Sequence, residues 1–408
     1  MISQALNDQI TRIGPDTEAG NVLRRYWQPA ALSDELIGDF PIAVNLLGER
    51  LALVQSGNGT LRLMTRVSPE GEPAAYCPAP QEITIDPKGA SYPVHQIKGA
   101  VFAYMGPGDP PEFPSFDCFR APDSHVFAFK GLWRCNWLQA LEIGIDPAHA
   151  SFLHRFLEDE DPSDGYGKQF RDKAAHTDMP MTQVLRDYPR PEIQVDQTDY
   201  GLKITALRHM DNGLTHVRVT NQIFPEAICI PMSREMTITQ WHVPIDDENC
   251  YWFTIFTSFK NPVNKDLMRE QRLQEHRLPD YAPLKNRENN YHYDPAEQEI
   301  LTYTGMGLDI NVHDQWAVEG MGAIQDRRQE HLGRSDVAII RYRRMLRKAI
   351  ADLAAAQPEA LPMQGRADVA AIRGPLSNDA IAPTAEWETA SHAADIARRV
   401  DCPWDATV

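Results

Sequence analysis

Three absences narrow the possibilities before any motif is considered. The six cysteines, Cys77, Cys118, Cys135, Cys229, Cys250 and Cys402, include no Cys-x-x-Cys pair, so neither a disulfide framework nor a zinc ribbon is suggested, and they read as small core residues in a reducing compartment. There is no apolar run of about 18 residues of the kind that spans a bilayer. The opening MISQALNDQITRIGPDTEAG lacks both the basic start and the apolar stretch of a secretory signal, so a cytoplasmic protein is expected. Cationic residues are also in short supply: 40 Lys and Arg face 57 Asp and Glu, a net charge of -17. Neutralising phosphates requires clustered Lys and Arg, so nucleic acid and anionic membrane surfaces are both poor partners. What remains is 408 residues, 42% hydrophobic and 24% charged, enough chain for two cores.

Up to about residue 125 the apolar segments are short and separated by turn residues: PIAVNLL (41–47), LALVQ (51–55) followed by SGNG, LRLM (61–64) and AVFAYMG (100–106). That pattern predicts strands, and the proline-rich GPGDPPEFP (106–114) reads as a boundary. Residues 136–157 carry apolar side chains at helical spacing and predict a buried helix. Alternating segments follow at 202–208, 215–224, 235–244 and 250–259, the last two forming a hairpin across DDEN. Residues 263–278 are helix-prone, and 310–356 read as one long helix or two, interrupted at HLGRSD (331–336). The last fifty residues, rich in Ala and Pro, read as a trailing wrap or loose tail. The expected architecture is α+β, an all-β domain followed by a domain with a central antiparallel sheet.

The segment NWLQALEIGIDPAHASFLHR (136–155) places His149 and His154 five residues apart, with Asp146 three before the first. On an ideal helix five residues turn through about 500°, so the two rings share a face only if the helix ends, bends or bulges. By itself such a pair is a weak signal, more often ordinary core or surface histidines than metal ligands. A third donor, Asp314 in NVHDQWAVEG, lies near an expected helix start, where a plain N-cap is the competing reading. Two imidazoles and one carboxylate on one face of a ferrous ion leave positions open for dioxygen and substrate.

The 136–155 string resembles the iron-binding segment of Rieske non-haem iron oxygenases of the phthalate dioxygenase type. GNVLRRYWQPAALSDEL (20–36), NRENNY (286–291) and AVEGMGAIQDRRQEHLGRSD (317–336) share the likeness, which therefore covers nearly the whole chain. The resemblance implies a Rieske-like β domain followed by a helix-grip catalytic domain. The expected divisions are an N-terminal segment 1–36 packed on the catalytic domain, a β domain 37–125, a catalytic domain 126–360 and a tail 361–408. It also implies that His149, His154 and Asp314 bind mononuclear Fe(II), that Asp146 links this site to a neighbouring subunit's cluster, and that Asn136 lies near the metal. His313 stands where the family usually has glutamine.

A Rieske 2Fe-2S cluster needs Cys-x-His followed by Cys-x-x-His. Here TRVSPEGEP (65–73) puts Ser68 and Glu70 at the first pair, and YCPAP (76–80) keeps Cys77 but has Pro80 for the second histidine. Proline offers no nitrogen, and hard oxygen donors suit neither position. The expectation is a degenerate β domain without a cluster. Electrons would then come from a Rieske-bearing partner in a trimer, or a hexamer built from trimers, itself fed by a reductase or ferredoxin. The substrate is expected to be a small aromatic or related molecule, hydroxylated or oxidatively demethylated with dioxygen. Two other readings stay open: a non-catalytic structural or regulatory paralogue, and a zinc site that activates water. Simpler roles are expected for Glu142, as a buried hydrogen-bonded carboxylate or a supporting group for the metal site, for EHLGRSD (330–336), as a capped helix break, and for RYRRMLRKA (341–349), as a solvated helix face.

Overall fold

The computed structural model describes residues 2–37, 40–157, 179–232, 235–365, 368–372, 374–400 and 402–404. Among them, two antiparallel sheets account for nearly all the strands. The first contains β1 (Trp27–Leu32), β2 (Ile42–Leu46), β3 (Glu49–Gln55), β4 (Leu61–Val67), β5 (Thr84–Ile85), β6 (Ser91–Ile97) and β7 (Ala100–Tyr104), in the order β1-β7-β6-β4-β3-β2 with β5 on β4. Leu47 and Gly48, at φ 50° and 77°, make the two-residue turn between β2 and β3, where positive φ matches the strand twist. Their amides bond to the carbonyls of Pro244 and Ile245, which fastens this hairpin to the second sheet.

The second sheet runs β8 (Val126–Trp133), β14 (Cys250–Ser258), β13 (Met236–Pro244), β12 (Ala227–Pro231), β11 (Leu214–Ile223), β10 (Gly201–His209), β9 (Glu192–Gln197). A short ribbon, β15 (His276–Arg277) with β16 (Ala282–Pro283), lies apart, and β17 (Asn378–Pro383) pairs with β11. The helices are α1 (Gln4–Thr11), α2 (Glu18–Leu23), α3 (Asp117–Arg120), α4 (Trp137–Gly144), α5 (Ala150–Leu153), α6 (Met181–Asp187), α7 (Lys265–Leu273), α8 (Pro295–Ile300), α9 (Ile310–Gly320), α10 (Val337–Ala354) and α11 (Trp387–Val400). The β-then-α+β order is as expected, and the two sheets share one buried apolar cluster. Phe102 of β7 meets Trp241 of β13 edge-on at 5.5 Å. Among the described residues no helix is long and apolar enough to cross a membrane.

Four local readings need correction. The helix expected over 136–157 ends at Gly144: Pro147 brings no amide hydrogen, and the Asp146 carboxylate accepts from Ala148 N at 2.8 Å, closing a turn instead of a helix. The interruption after α9 begins at Met321, earlier than the sequence suggested, with Gly322 at φ 92° just beyond it. The supposed loose tail contributes a sheet strand and the 14-residue α11. In the basic run, Arg343 is buried, not solvated. The segment 1–36 is divided: α1 and α2 pack near α10 and α4, while β1 forms an edge of the first sheet.

Candidate metal centre

The turn after α4 sets up the first two side chains. His149 precedes α5 and His154 follows it, so the single helical turn between them brings the rings to 5.0 Å between centroids, nearly perpendicular. The five-residue spacing thus converges because the helix is only one turn long and opens at His154, where φ is -97° and ψ 26°. Asp314 comes from the second turn of α9. Asp309, not Asp314, caps that helix by accepting from Asn311 N at 3.1 Å, which removes the plain-cap reading of Asp314.

Asp314 Oδ1 lies 3.6 Å from His149 Nε2 and 3.3 Å from His154 Nε2, and one atom from each of the three side chains falls within 4.8 Å of the others. Burial depresses the His149 pKa more than the nearby carboxylates raise it, so the ring is neutral near pH 7. Its Nδ1 contacts the Asp146 carbonyl, which can only accept. The proton therefore sits on Nδ1, and Nε2 presents a bare lone pair to the carboxylate. Burial pushes Asp314 upward, but His154, His149 and His313 more than offset it and keep the group ionised. Asp314 Oδ1 is buried without a hydrogen bond. His149 Nε2 and Asp314 Oδ1, two electron-pair donors facing one another with no proton between them, fit a cation, and with His154 Nε2 they make the two-nitrogen, one-oxygen set that suits ferrous iron.

Other residues brace this arrangement, and the sequence reading missed most of them. Arg208 of β10 donates from Nη2 to the Pro147 carbonyl at 3.0 Å and the Ser151 hydroxyl at 3.2 Å, clamping the chain on both sides of His149. Burial lowers its pKa to about 10. His313 stacks on His154 at 5.8 Å and donates from Nε2 to the Gly307 carbonyl at 2.9 Å; burial, with His154 beside it, lowers its pKa to about 4 and leaves it neutral. Tyr291 OH, Arg134 N and Gln315 Nε2 all donate to Glu319 at the end of α9. Asn290, Tyr291 and His292 adopt φ of 53°, 52° and 52°, a backbone that non-glycine residues rarely take and that aims the Tyr291 hydroxyl at Glu319.

Beside the triad lies a cavity of about 150 Å³. Ile228, Ile230, Ile238 and Phe256 of the sheet and Leu185 of α6 make it mainly apolar. Its polar wall includes Arg218 and Thr220 of β11 and Gln240 and His242 of β13. Burial lowers the His242 pKa to about 3; its Nδ1 has no hydrogen bond, and its Nε2 meets Gln240 at 3.2 Å. Period-two alternation brings these side chains to one face, a signal weak in sequence because ordinary core strands share it.

Residues 103–398 match the family described as LigXa C-terminal domain like. The chain belongs to this family of Rieske-type oxygenase subunits. It is 29% identical over 397 residues to the phthalate 4,5-dioxygenase oxygenase subunit of Pseudomonas putida, covering 86% of this chain and 87% of that one. It is 27% identical over 420 residues to the 5,5'-dehydrodivanillate O-demethylase oxygenase subunit of a Sphingobium species, covering 93% and 86%. A solved Pseudomonas putida CBB5 NdmA mutant with theobromine shares the fold, with TM-score 0.51, 15% identity and coverage of 85% and 97%.

In this oxygenase subunit the remaining expected residues separate. Asp146 lines the cavity, and within the chain its carboxylate serves the turn while its carbonyl meets His149. Asn136 is corrected: it is fully buried at the opposite end of α4, capping Leu138 N and donating to the carbonyls of Thr11 and Asp247, and it does not line the cavity. In the first domain, Ser68 and Glu70 are half-buried and exposed loop residues, and Pro80 opens a 3-10 turn. Cys77 Sγ lies 3.5 Å from the Ala75 carbonyl, and burial raises its thiol pKa. That loop is held by the Arg66–Glu72 pair and by Arg50, which donates to the carbonyls of Glu72 and Ala74.

Proposed function

We propose that this chain is the catalytic subunit of an oxygenase, with Fe(II) held by His149 Nε2, His154 Nε2 and Asp314, and with electrons supplied by a separate Rieske-bearing subunit. The observation that carries the reading is the convergence of two imidazoles, His149 neutral, and an ionised carboxylate beside an apolar cavity. A ferrous ion there would supply the activation of dioxygen. The chain's own residues orient and enclose. The Asp146 carbonyl and Arg208 fix the direction of His149, His313 packs against His154, and Glu319 with Tyr291 holds α9 so that Asp314 faces both. The isoleucines and Phe256 exclude water and favour a compact apolar substrate, aromatic or related, for hydroxylation or oxidative demethylation. We assign the half-buried Asp146 to the contact with the partner subunit through which electrons arrive.

In this reading the first domain holds no 2Fe-2S cluster. Four ligands are required, and Ser68, Glu70 and Pro80 occupy three of their positions while Cys77 alone retains a suitable atom. A salt-bridged loop replaces the cross-link that a cluster provides. Co-purification from the native host tests the assignment: a partner carrying Cys-x-His and Cys-x-x-His should accompany this chain, and the pair should turn over substrate with a ferredoxin or reductase. A homotrimer active with a reductase alone would refute the shared arrangement, and full activity of D314A in the assembled complex would refute catalysis at this site.

A further inference from the structure

The cavity beside the triad presents two arginines, Arg218 and Arg272. A planar guanidinium on a pocket wall is the usual receptor for a carboxylate, because its fork of N–H donors matches the two oxygens. Here both arginines face carboxylates of the chain itself. Arg218 Nη1 lies 2.7 Å from Asp379 Oδ2, and its Nη2 donates to the Pro231 carbonyl at 2.7 Å. Asp379 Oδ1 meets His216 Nε2 at 3.1 Å. Arg272 pairs with Asp309 at 3.5 Å. The first match is built into the sheet: β17 pairs with β11 so that Arg218 and Asp379 are direct cross-strand partners. Asp379 is buried, and although burial pushes its carboxyl upward, Arg218 and His216 hold it below the ordinary range, so it remains a full negative charge.

We propose that Asp379 sets the substrate class, neutralising Arg218 so that the cavity accepts an uncharged single-ring aromatic molecule and rejects the corresponding carboxylate. This rests on the proposed function, since it takes the cavity beside the triad to be the substrate site. An entering anion would find both arginines of the described lining already paired, and would meet the fields of Asp379 and Asp309 where water screens them poorly. It would therefore be desolvated without an opposite charge from these arginines to offset the cost. Size points the same way, because an apolar cavity of about 150 Å³ takes up benzene. Thr220, Gln240 and His242 remain on the wall to bond a neutral polar substituent.

Benzamide and benzoate have nearly the same shape and differ in charge, so calorimetric titration of the full-length protein with each isolates the effect. Wild type should bind benzamide at least tenfold more tightly than benzoate near pH 7. D379N, which keeps the shape and removes the charge, should bind benzoate at least tenfold more tightly than wild type, and D379N/R218Q should lose that gain. Equal or tighter binding of benzoate by wild type overturns the proposal, as does failure to bind either ligand. A D379N variant without the gain, or a gain that survives loss of Arg218, also overturns it. The wild-type ratio needs no variant, so misfolding of D379N does not shelter the idea. Because binding here requires neither iron nor electrons, an inverted preference leaves the iron assignment standing, and absence of iron leaves the preference measurable.

Discussion

Glu226 shows how far burial can move a single group. It is 1% exposed, beside Gln28, and desolvation lifts its carboxyl from 4.5 to about 8 despite that hydrogen bond. The folded protein therefore keeps the proton over a range in which the unfolded chain has released it. A raised acid pKa contributes stability that is complete below pH 4.5 and is lost as pH rises towards 8. Each tenfold change in proton affinity is worth about 1.36 kcal/mol, so several kcal/mol disappear across that window. E226Q, which cannot ionise, should equal or exceed wild type at pH 8, and its relative advantage should shrink at pH 5.5; denaturant midpoints at the two pH values check this. At this scale the sequence disclosed the triad because His149, His154 and Asp314 sit in long distinctive strings. It hid Arg208, His242 and the Arg218–Asp379 pair, whose strands look like any buried sheet. Asn136 was placed near the metal by the resemblance alone, whereas in the structure it caps α4 and ties it to Thr11 and Asp247.

Among the elements, α4 bears the most concentrated load. Glu142, in the helix that leads to the His149–His154 turn, accepts from Arg327 at 2.8 Å and from Arg343 at 2.5 Å, and Arg343 also reaches Glu330. The four buried groups bind α4 to α10 and to the connection after α9. Among the described residues, removing the Glu142 carboxylate leaves Arg327 with only the Asn7 amide oxygen and Arg343 with Glu330 alone, at a cost of about 3–5 kcal/mol. E142Q should therefore lower the denaturation temperature by about 4–6 °C, read by calorimetry; a shift within error would show that the network carries no stability. Elements with a clean period were legible, notably the β13–β14 hairpin and the polar helix α7. The break at Asp146–Pro147 was visible as a proline but not as a stop, since a kinked helix carries the same residue. β17 escaped because NDAIAP, with two alanines and a proline, has little strand propensity of its own and is held by pairing with β11.

Over the whole molecule the two sheets work as scaffold and housing, joined through Phe102 and Trp241 and through the Lys130–Glu35 ion pair at 2.8 Å. The two-part order was legible because the first hundred residues break into short runs while the rest alternates helix and strand periods. Their shared core was not, since contacts between distant segments leave no local period. In the first domain the loop at Ser68–Pro80 is fastened by Arg66, Glu72 and Arg50, so Cys77 is dispensable in this account. C77S should change stability by less than about 1 kcal/mol and leave bound iron unchanged, measured by denaturant unfolding and metal content on the same preparation.

The central claim is that this chain holds one iron at His149, His154 and Asp314 and no cluster elsewhere. Anaerobic reconstitution with ferrous iron and sulfide, followed by iron and acid-labile sulfide analysis of wild type and D314N, tests it most directly. The account predicts one iron per wild-type chain without sulfide, and at least tenfold less iron in D314N. Stoichiometric sulfide, a preference for zinc, or undiminished iron in D314N would contradict it.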